Sequence, residues 1–110
     1  MEKFVKGDIV VVPFPFSDLS SSKRRPALVI VNLPGEDIIL CQVTSQLTKD
    51  EFSISLLDSD FDFGGLKQQS NIRPNRIFTA SKSIIRYRAG SVKPRKLSEV
   101  RNKIVSLLDQ

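Results

Sequence analysis

Two short segments have residue types and spacing suited to chemistry on a phosphate: Lys23-Arg24-Arg25-Pro26 and Thr44-Ser45. Pro26 fixes its own φ and biases Arg25 toward an extended backbone. An arginine held at the mouth of a stiff strand presents a planar fork of donors that matches phosphate oxygens. Thr44 and Ser45 add two hydroxyls. Between the segments lie two apolar runs, Ala27 to Val31 and Ile38 to Thr44, joined by a hairpin-length connection from Asn32 to Asp37. If the runs pair through that hairpin, the start of the first lies opposite the end of the second, and Arg25 meets Thr44. On the residues alone a second reading stays open, an exposed basic loop beside an ordinary strand end.

Other chemistries are excluded by residue counts. The chain has no histidine and a single cysteine, Cys41. Ser-His-Asp, Cys-His and paired-histidine metal chemistry therefore have no players, and one thiol makes neither an internal disulfide nor a cysteine-only metal site. Cys41 lies within an apolar run and reads as a small core residue. The acids Asp58, Asp60 and Asp62 alternate as in a cation loop. They lack the glycine and twelfth-position glutamate of an EF-hand, so a solvated acidic loop is expected. No metal and no cofactor are expected.

Net charge is +5, and its distribution is uneven. Residues 50–62 carry five acids and no base, whereas residues 65–110 carry eleven bases against Glu99 and Asp109. A C-terminal portion at +9 suits an anionic partner, with nucleic acid first among soluble candidates. The same bias would also serve as a solvated surface. The start of the chain has no apolar segment of signal-peptide length, and no run approaches the ~20 apolar residues that span a bilayer. A soluble cytoplasmic protein is expected, with no membrane partner.

The elements that must position these residues fit one domain over residues 1–110, with 40% apolar and 26% charged side chains. Asp8 to Val12 reads as a strand, ended by Pro13 and Pro15. Ser17 to Lys23 is a polar loop. Ala27 to Val31 reads as a strand buried on both faces, and Ile38 to Thr44 follows. Phe52, Ile54 and Leu56 alternate with serines, the pattern of a half-buried strand. Asp58 to Gly65 reads as an acidic loop. Ile72 to Phe78 is extended but made irregular by Pro74, and Ile84-Ile85 form a short strand. From Pro94, Leu97, Val100, Ile104 and Leu107/Leu108 recur at helical spacing, predicting a helix over 94–108. The fold class is mainly β, a small antiparallel barrel or curled sheet with one C-terminal helix packed on it.

The run GDIVVVPFPFSDLSSSKRRPALVIVN, Gly7 to Asn32, resembles the N-terminal motif of the MazF/PemK (Kid) toxins of bacterial toxin–antitoxin systems. The similarity continues, in order, through Val43-Thr44-Ser45, Gly65-Leu66, the stretch from Ser70 through Phe78-Thr79 to Lys82-Ser83, and Gly90 before the terminal helix. It covers nearly the whole chain. Each piece is short, and the ordered set is the specific signal.

The resemblance implies an SH3-like barrel, commonly a homodimer, and metal-independent cleavage of single-stranded RNA, often mRNA. Arg25 matches the family's catalytic arginine and Thr44 its catalytic threonine. In the family scheme the ribose 2′-OH attacks the adjacent phosphate, so the substrate supplies its own nucleophile. Arg25 would stabilise the developing charge and Thr44 would orient the phosphate. Lys23, Arg24, Ser45, Arg73 and Arg76 are the expected RNA contacts, and base choice is expected from loops 17–24 and 46–51. A co-expressed antitoxin with an acidic, flexible segment would cover the basic site. Some members carry an Arg-x-Asp element ahead of the Lys82 region. Here Phe78-Thr79-Ala80-Ser81 stands there, without an acid, and leaves the group that removes the 2′-OH proton unassigned. Two alternatives remain: a non-catalytic binding toxin of the same fold, as in the gyrase poison CcdB, and a single-strand RNA-binding module. The module has few stacking aromatics, with Tyr87 the only tyrosine and no tryptophan.

Overall fold

Seven strands precede one helix: β1 Asp8–Phe14, β2 Lys23–Asn32, β3 Asp37–Thr44, β4 Ile54–Leu56, β5 Phe61–Gly64, β6 Ser70–Ser81, β7 Tyr87–Val92 and α1 Pro94–Leu108. The computed structural model describes residues 3–14, 23–45 and 50–110. Most of the expected loops 17–24 and 46–51 therefore lie outside the described residues. All strands join one sheet in the order β4-β6-β3-β2-β1-β7-β5, with every pairing antiparallel. The two edge strands supply Ile54, Leu56 and Phe61 to the same core cluster, so the sheet curls until its edges share one interior.

That interior holds Ile9, Leu28, Cys41, Val43 and Ile72, and α1 closes it with Val100. A second cluster on the other face holds Val10, Val12, Ala27, Val29, Ile38 and Leu40, covered by Phe4, Phe78, Ile84 and Ile85. This double cover explains why Ala27, Leu28 and Val29 are all inaccessible to solvent. Each fully buried aliphatic such as Leu28, Ile38 or Leu40 contributes about 1.5–3 kcal/mol. Ile38, Leu40 and Val100 are thus internal.

Gly7 and Asp8 fix the entry to β1. Gly7 takes φ +97°, a region open to glycine, and its N–H donates to Val29 O at 2.9 Å. The buried Asp8 carboxylate accepts from Val5 N at 2.9 Å and from Arg88 Nε at 3.0 Å. A sequence read as a simple strand start is therefore also an anchor for β7.

The structure corrects two expectations. The acidic stretch is a 3₁₀ turn at Asp58–Asp60 followed by β5, and Asp60 is buried. Its carboxylate accepts from Leu57 N at 2.8 Å and pairs with Arg95 at 3.2 Å and Lys96 at 3.6 Å. Periodicity cannot reveal an acid buried by partners 35 residues away. Ile84 ends a second 3₁₀ turn, and the strand is β7, beginning at Tyr87. As expected, the stretch around Pro74 is extended and irregular: β6 includes Pro74, which is fully buried. The β3–β6 register jumps from Cys41↔Ile77 to Val43↔Ile72, and Pro74, lacking an N–H, sits inside that irregularity.

The expected helix appears as Pro94–Leu108, with Pro94 in its first turn. Among the described residues no helix is long and apolar enough to cross a membrane.

Candidate active-site groove

β2 begins at the basic cluster, so its first residues stand where the sheet's end opens. The β1–β2 ladder pairs Val11 with Pro26, Val12 with Arg25 and Phe14 with Lys23. The β2–β3 ladder pairs Ala27 with Gln42. Continued two residues outward, that register brings Arg25 level with Thr44.

A cavity of about 330 Å³ opens at this end. Arg24, Arg25 and Ser45 line one side, Lys67, Gln68 and Ser70 another, and Tyr87 enters from β7. Arg25 is half-buried, while Arg24, Ser45, Lys67 and Gln68 are exposed. Tyr87 is 51% exposed, which leaves its ring open for stacking. Three cations, two hydroxyls, an amide and an aromatic face thus meet in one concave site. Such a set can hold a phosphate by the guanidinium and stack a base on the tyrosine.

The predicted site residues divide into four groups. Arg24, Arg25 and Ser45 come together in the cavity wall. Lys23 is exposed at the start of β2, one residue before the lining arginines. Thr44 lies next to the site but only 5% exposed, level with Asn71 of β6, and Ser45 rather than Thr44 lines the cavity.

Arg73 and Arg76 stand apart. They lie on β6, which β3 separates from β2, a distance of about 10 Å across the sheet. Arg73 donates to Asp50 at 3.1 Å and is 17% exposed, so its charge is already matched. Asp50 sits below the usual carboxylate range, chiefly because the Phe52 N–H donates to it at 2.6 Å and secondarily because of Arg73. Arg76 is exposed. Lys67 and Gln68 were not singled out by sequence. The glycine pair before them was the available signal, since Gly64 at φ +71° packs against Gly90 and aims the following segment at the groove.

Cys41 takes no part. It is buried, its Sγ donates to Arg73 O at 3.0 Å, and burial pushes its thiol up to about 12. A larger hollow of about 830 Å³ lies by Phe4, Leu33 and Ile85, at the opposite end of β2. Its Lys82 is committed to Leu33 O at 2.7 Å and its Asn32 amide to Phe4 O at 2.6 Å. The cation cluster is at the smaller cavity.

Comparisons with known proteins agree with this architecture. The chain superposes on a mycobacterial endoribonuclease in complex with its cognate antitoxin, at TM-score 0.77, 14% identity, and 97% and 96% coverage of the two chains. It superposes on MazF from Deinococcus radiodurans at TM-score 0.77 and 22% identity, with 100% of both chains covered. A MazE–MazF complex from the same organism gives TM-score 0.77 at 22% identity, covering 97% of each chain. A comparison with curated proteins finds no match. The structural likenesses establish the fold. The family follows from sequence, where a model described as PemK-like, MazF-like toxin of type II toxin–antitoxin system matches residues 5–108. By that match the chain belongs to the PemK-like, MazF-like toxin family of type II toxin–antitoxin systems.

Proposed function

We propose that this toxin is an endoribonuclease that cleaves single-stranded RNA without a metal ion. The observation that carries the reading is Arg25, half-buried at the rigid Arg-Pro mouth of β2 and facing a cavity with Ser45, Lys67 and Tyr87. The 2′-oxygen of the substrate attacks the adjacent phosphorus, and the bond to the 5′-oxygen breaks. The products are a 2′,3′-cyclic phosphate and a 5′-hydroxyl. The 2′-OH gives up its proton and the leaving oxygen gains one. A guanidinium carries donors and no acceptor, so Arg25 serves the phosphoryl oxygens rather than the proton. A donor so aimed at transition-state charge is worth about 10²–10³ in rate. Thr44, buried beside the groove, and Ser45, in its wall, orient the phosphate. Arg24, Lys67 and the neighbouring Lys23 hold the strand electrostatically.

The same cations suit an acidic antitoxin segment lying in the groove, and the endoribonuclease–antitoxin complex with this fold supports that reading. The toxin acts in the cytoplasm as a single domain over residues 1–110. Homodimerisation is inferred from family membership.

The test is incubation of pure protein with a long unstructured RNA in EDTA, followed by end-group analysis. Cleavage yielding cyclic phosphate and 5′-hydroxyl ends is expected. Intact RNA at high protein concentration overturns the reading in favour of a binding toxin.

A further inference from the structure

The segment Leu66 to Gln69 is a partition. One side faces the Arg25 groove through Leu66, Lys67 and Gln68. The other side faces a second cavity of about 190 Å³, lined by the same three residues together with Gln69, Asp58 and the apolar Leu56, Leu57 and Phe61. This is smaller than the ~300–1,000 Å³ of sites for drug-sized ligands, which suits a single ring system.

Its chemistry is specific. Leu56 and Phe61 are buried, so they form a fixed apolar floor, and Phe61 adds an aromatic ring. Asp58 is exposed at the rim, and its neighbour Asp60 carries the ion pairs to Arg95 and Lys96. The Asp58 carboxylate has no hydrogen-bond or ion-pair partner among the described residues, nor do the side-chain amides of Gln68 and Gln69. Asp58 Oδ1 lies 3.7 Å from where a Cβ at residue 65 would be, so the glycine leaves the carboxylate an open approach. A free carboxylate accepts two adjacent N–H groups, and free amides donate to a carbonyl or ring nitrogen.

Resting on the reading of the Arg25 groove as an RNA path, we propose that this second cavity is a base-recognition pocket selective for guanine. Guanine presents two adjacent donors, N1–H and the N2 amino group, which match the Asp58 carboxylate. Its O6 and N7 acceptors match the amides of Gln68 and Gln69. Uracil has one ring donor flanked by two carbonyls, and those carbonyls would face the carboxylate. Adenine and cytosine each offer an amino group beside an acceptor nitrogen. The acidic stretch that would repel a phosphate backbone thus reads a base edge instead, while Lys67 at the partition holds the backbone.

The experiment measures binding of uridine decamers carrying one central guanosine, adenosine, cytidine or inosine. All are 2′-fluoro substituted, so no attacking hydroxyl is present and affinity is separated from cleavage. Fluorescence anisotropy is the readout. The expected preference for the guanosine decamer over the other natural bases is roughly ten- to a hundredfold, as for a good bidentate contact. Inosine, which lacks the N2 amino group, should lose most of it. Asp58→Asn should bring guanosine and inosine to equal affinity, and Gln68→Ala should reduce the guanosine preference independently. Tight binding without base preference, or a guanosine preference unchanged in Asp58→Asn, overturns the pocket and leaves the nuclease reading standing. No binding of any decamer overturns both.

Discussion

Arg25 and Ser45 line one cavity from neighbouring chain segments, while Thr44, one residue before Ser45, is buried and outside that lining. Arg25 is therefore the group best placed to meet a phosphate entering from solvent. Arg25→Ala is expected to lower kcat about 10²–10³-fold, the usual cost of a donor aimed at transition-state charge. Urea denaturation should move by less than ~0.5 kcal/mol, since a half-exposed arginine carries little of the core. Arg25→Lys should rescue only partly, because a point charge replaces a bidentate fork. A well-folded Arg25→Ala protein that cuts RNA at the parent rate would remove Arg25 from the mechanism.

Thr44 and Ser45 should separate by measurement. Ser45→Ala removes a hydroxyl from the groove wall and should lower turnover with an unchanged melting temperature. Thr44→Val keeps shape but buries no hydroxyl, and it should lower both turnover and stability, the latter by about 1–3 kcal/mol. Steady-state kinetics and thermal melts on the same samples decide. Full activity in Thr44→Val would confine the family's threonine role to other members.

RNA affinity should fall with salt. Three cations, Arg24, Arg25 and Lys67, line the groove. At about −0.7 per neutralised phosphate on a single strand, the log–log slope should be about −2. Lys67→Ala should flatten the slope by about 0.7. Anisotropy titrations across a salt series measure both, and an affinity independent of salt argues against an electrostatic groove.

Much of this architecture was legible in residue patterns, for identifiable reasons. Leu97, Val100 and Ile104 repeat at helical spacing, so α1 needed only periodicity. Val10, Val29 and Leu40 are internal because both sheet faces are covered, which a continuous apolar run signals. The groove's Arg25 and Ser45 were visible through Pro26 and the hairpin. What escaped is long-range. Arg73 looks like a free cation until the fold brings Asp50 to 3.1 Å. Asp60 looks solvated until α1 delivers Arg95 and Lys96. Lys67 and Gln68 gain meaning only when Gly64 and Gly90 pack together and turn the segment toward Tyr87.

Cys41 should be silent to alkylation in the native protein. Burial raises its thiol to about 12, so at pH 8 almost none of it is thiolate. An unfolded cysteine near pKa ~8.5 is a fair fraction thiolate at the same pH. Iodoacetamide labelling followed by mass spectrometry should therefore track unfolding. The sign for stability follows. Protection of the protonated thiol is fully present below the unfolded pKa and is lost as pH rises through about 12. Rapid native labelling at pH 8 would show that β3 opens locally.

Lys96 and Arg95 both meet Asp60, yet their substitutions should differ in cost. Lys96 is 7% exposed and its Nζ also reaches Ser55 O at 3.0 Å and Glu99 at 2.8 Å, tying α1 to the β4–β5 wall of the second cavity. Arg95 is 61% exposed. Removing one member of a buried charge pair costs about 3–5 kcal/mol, because its partner keeps the desolvation penalty without the attraction. Exposed pairs are worth at most about 1 kcal/mol. Lys96→Met is therefore expected to cost several times as much as Arg95→Ala in urea denaturation. Adding Asp60→Asn to Lys96→Met should cost less than Asp60→Asn alone, since the acid then has no buried cation to lose. If Lys96→Met and Arg95→Ala cost the same, Asp60 is held by the helix end as a whole rather than by the buried ammonium.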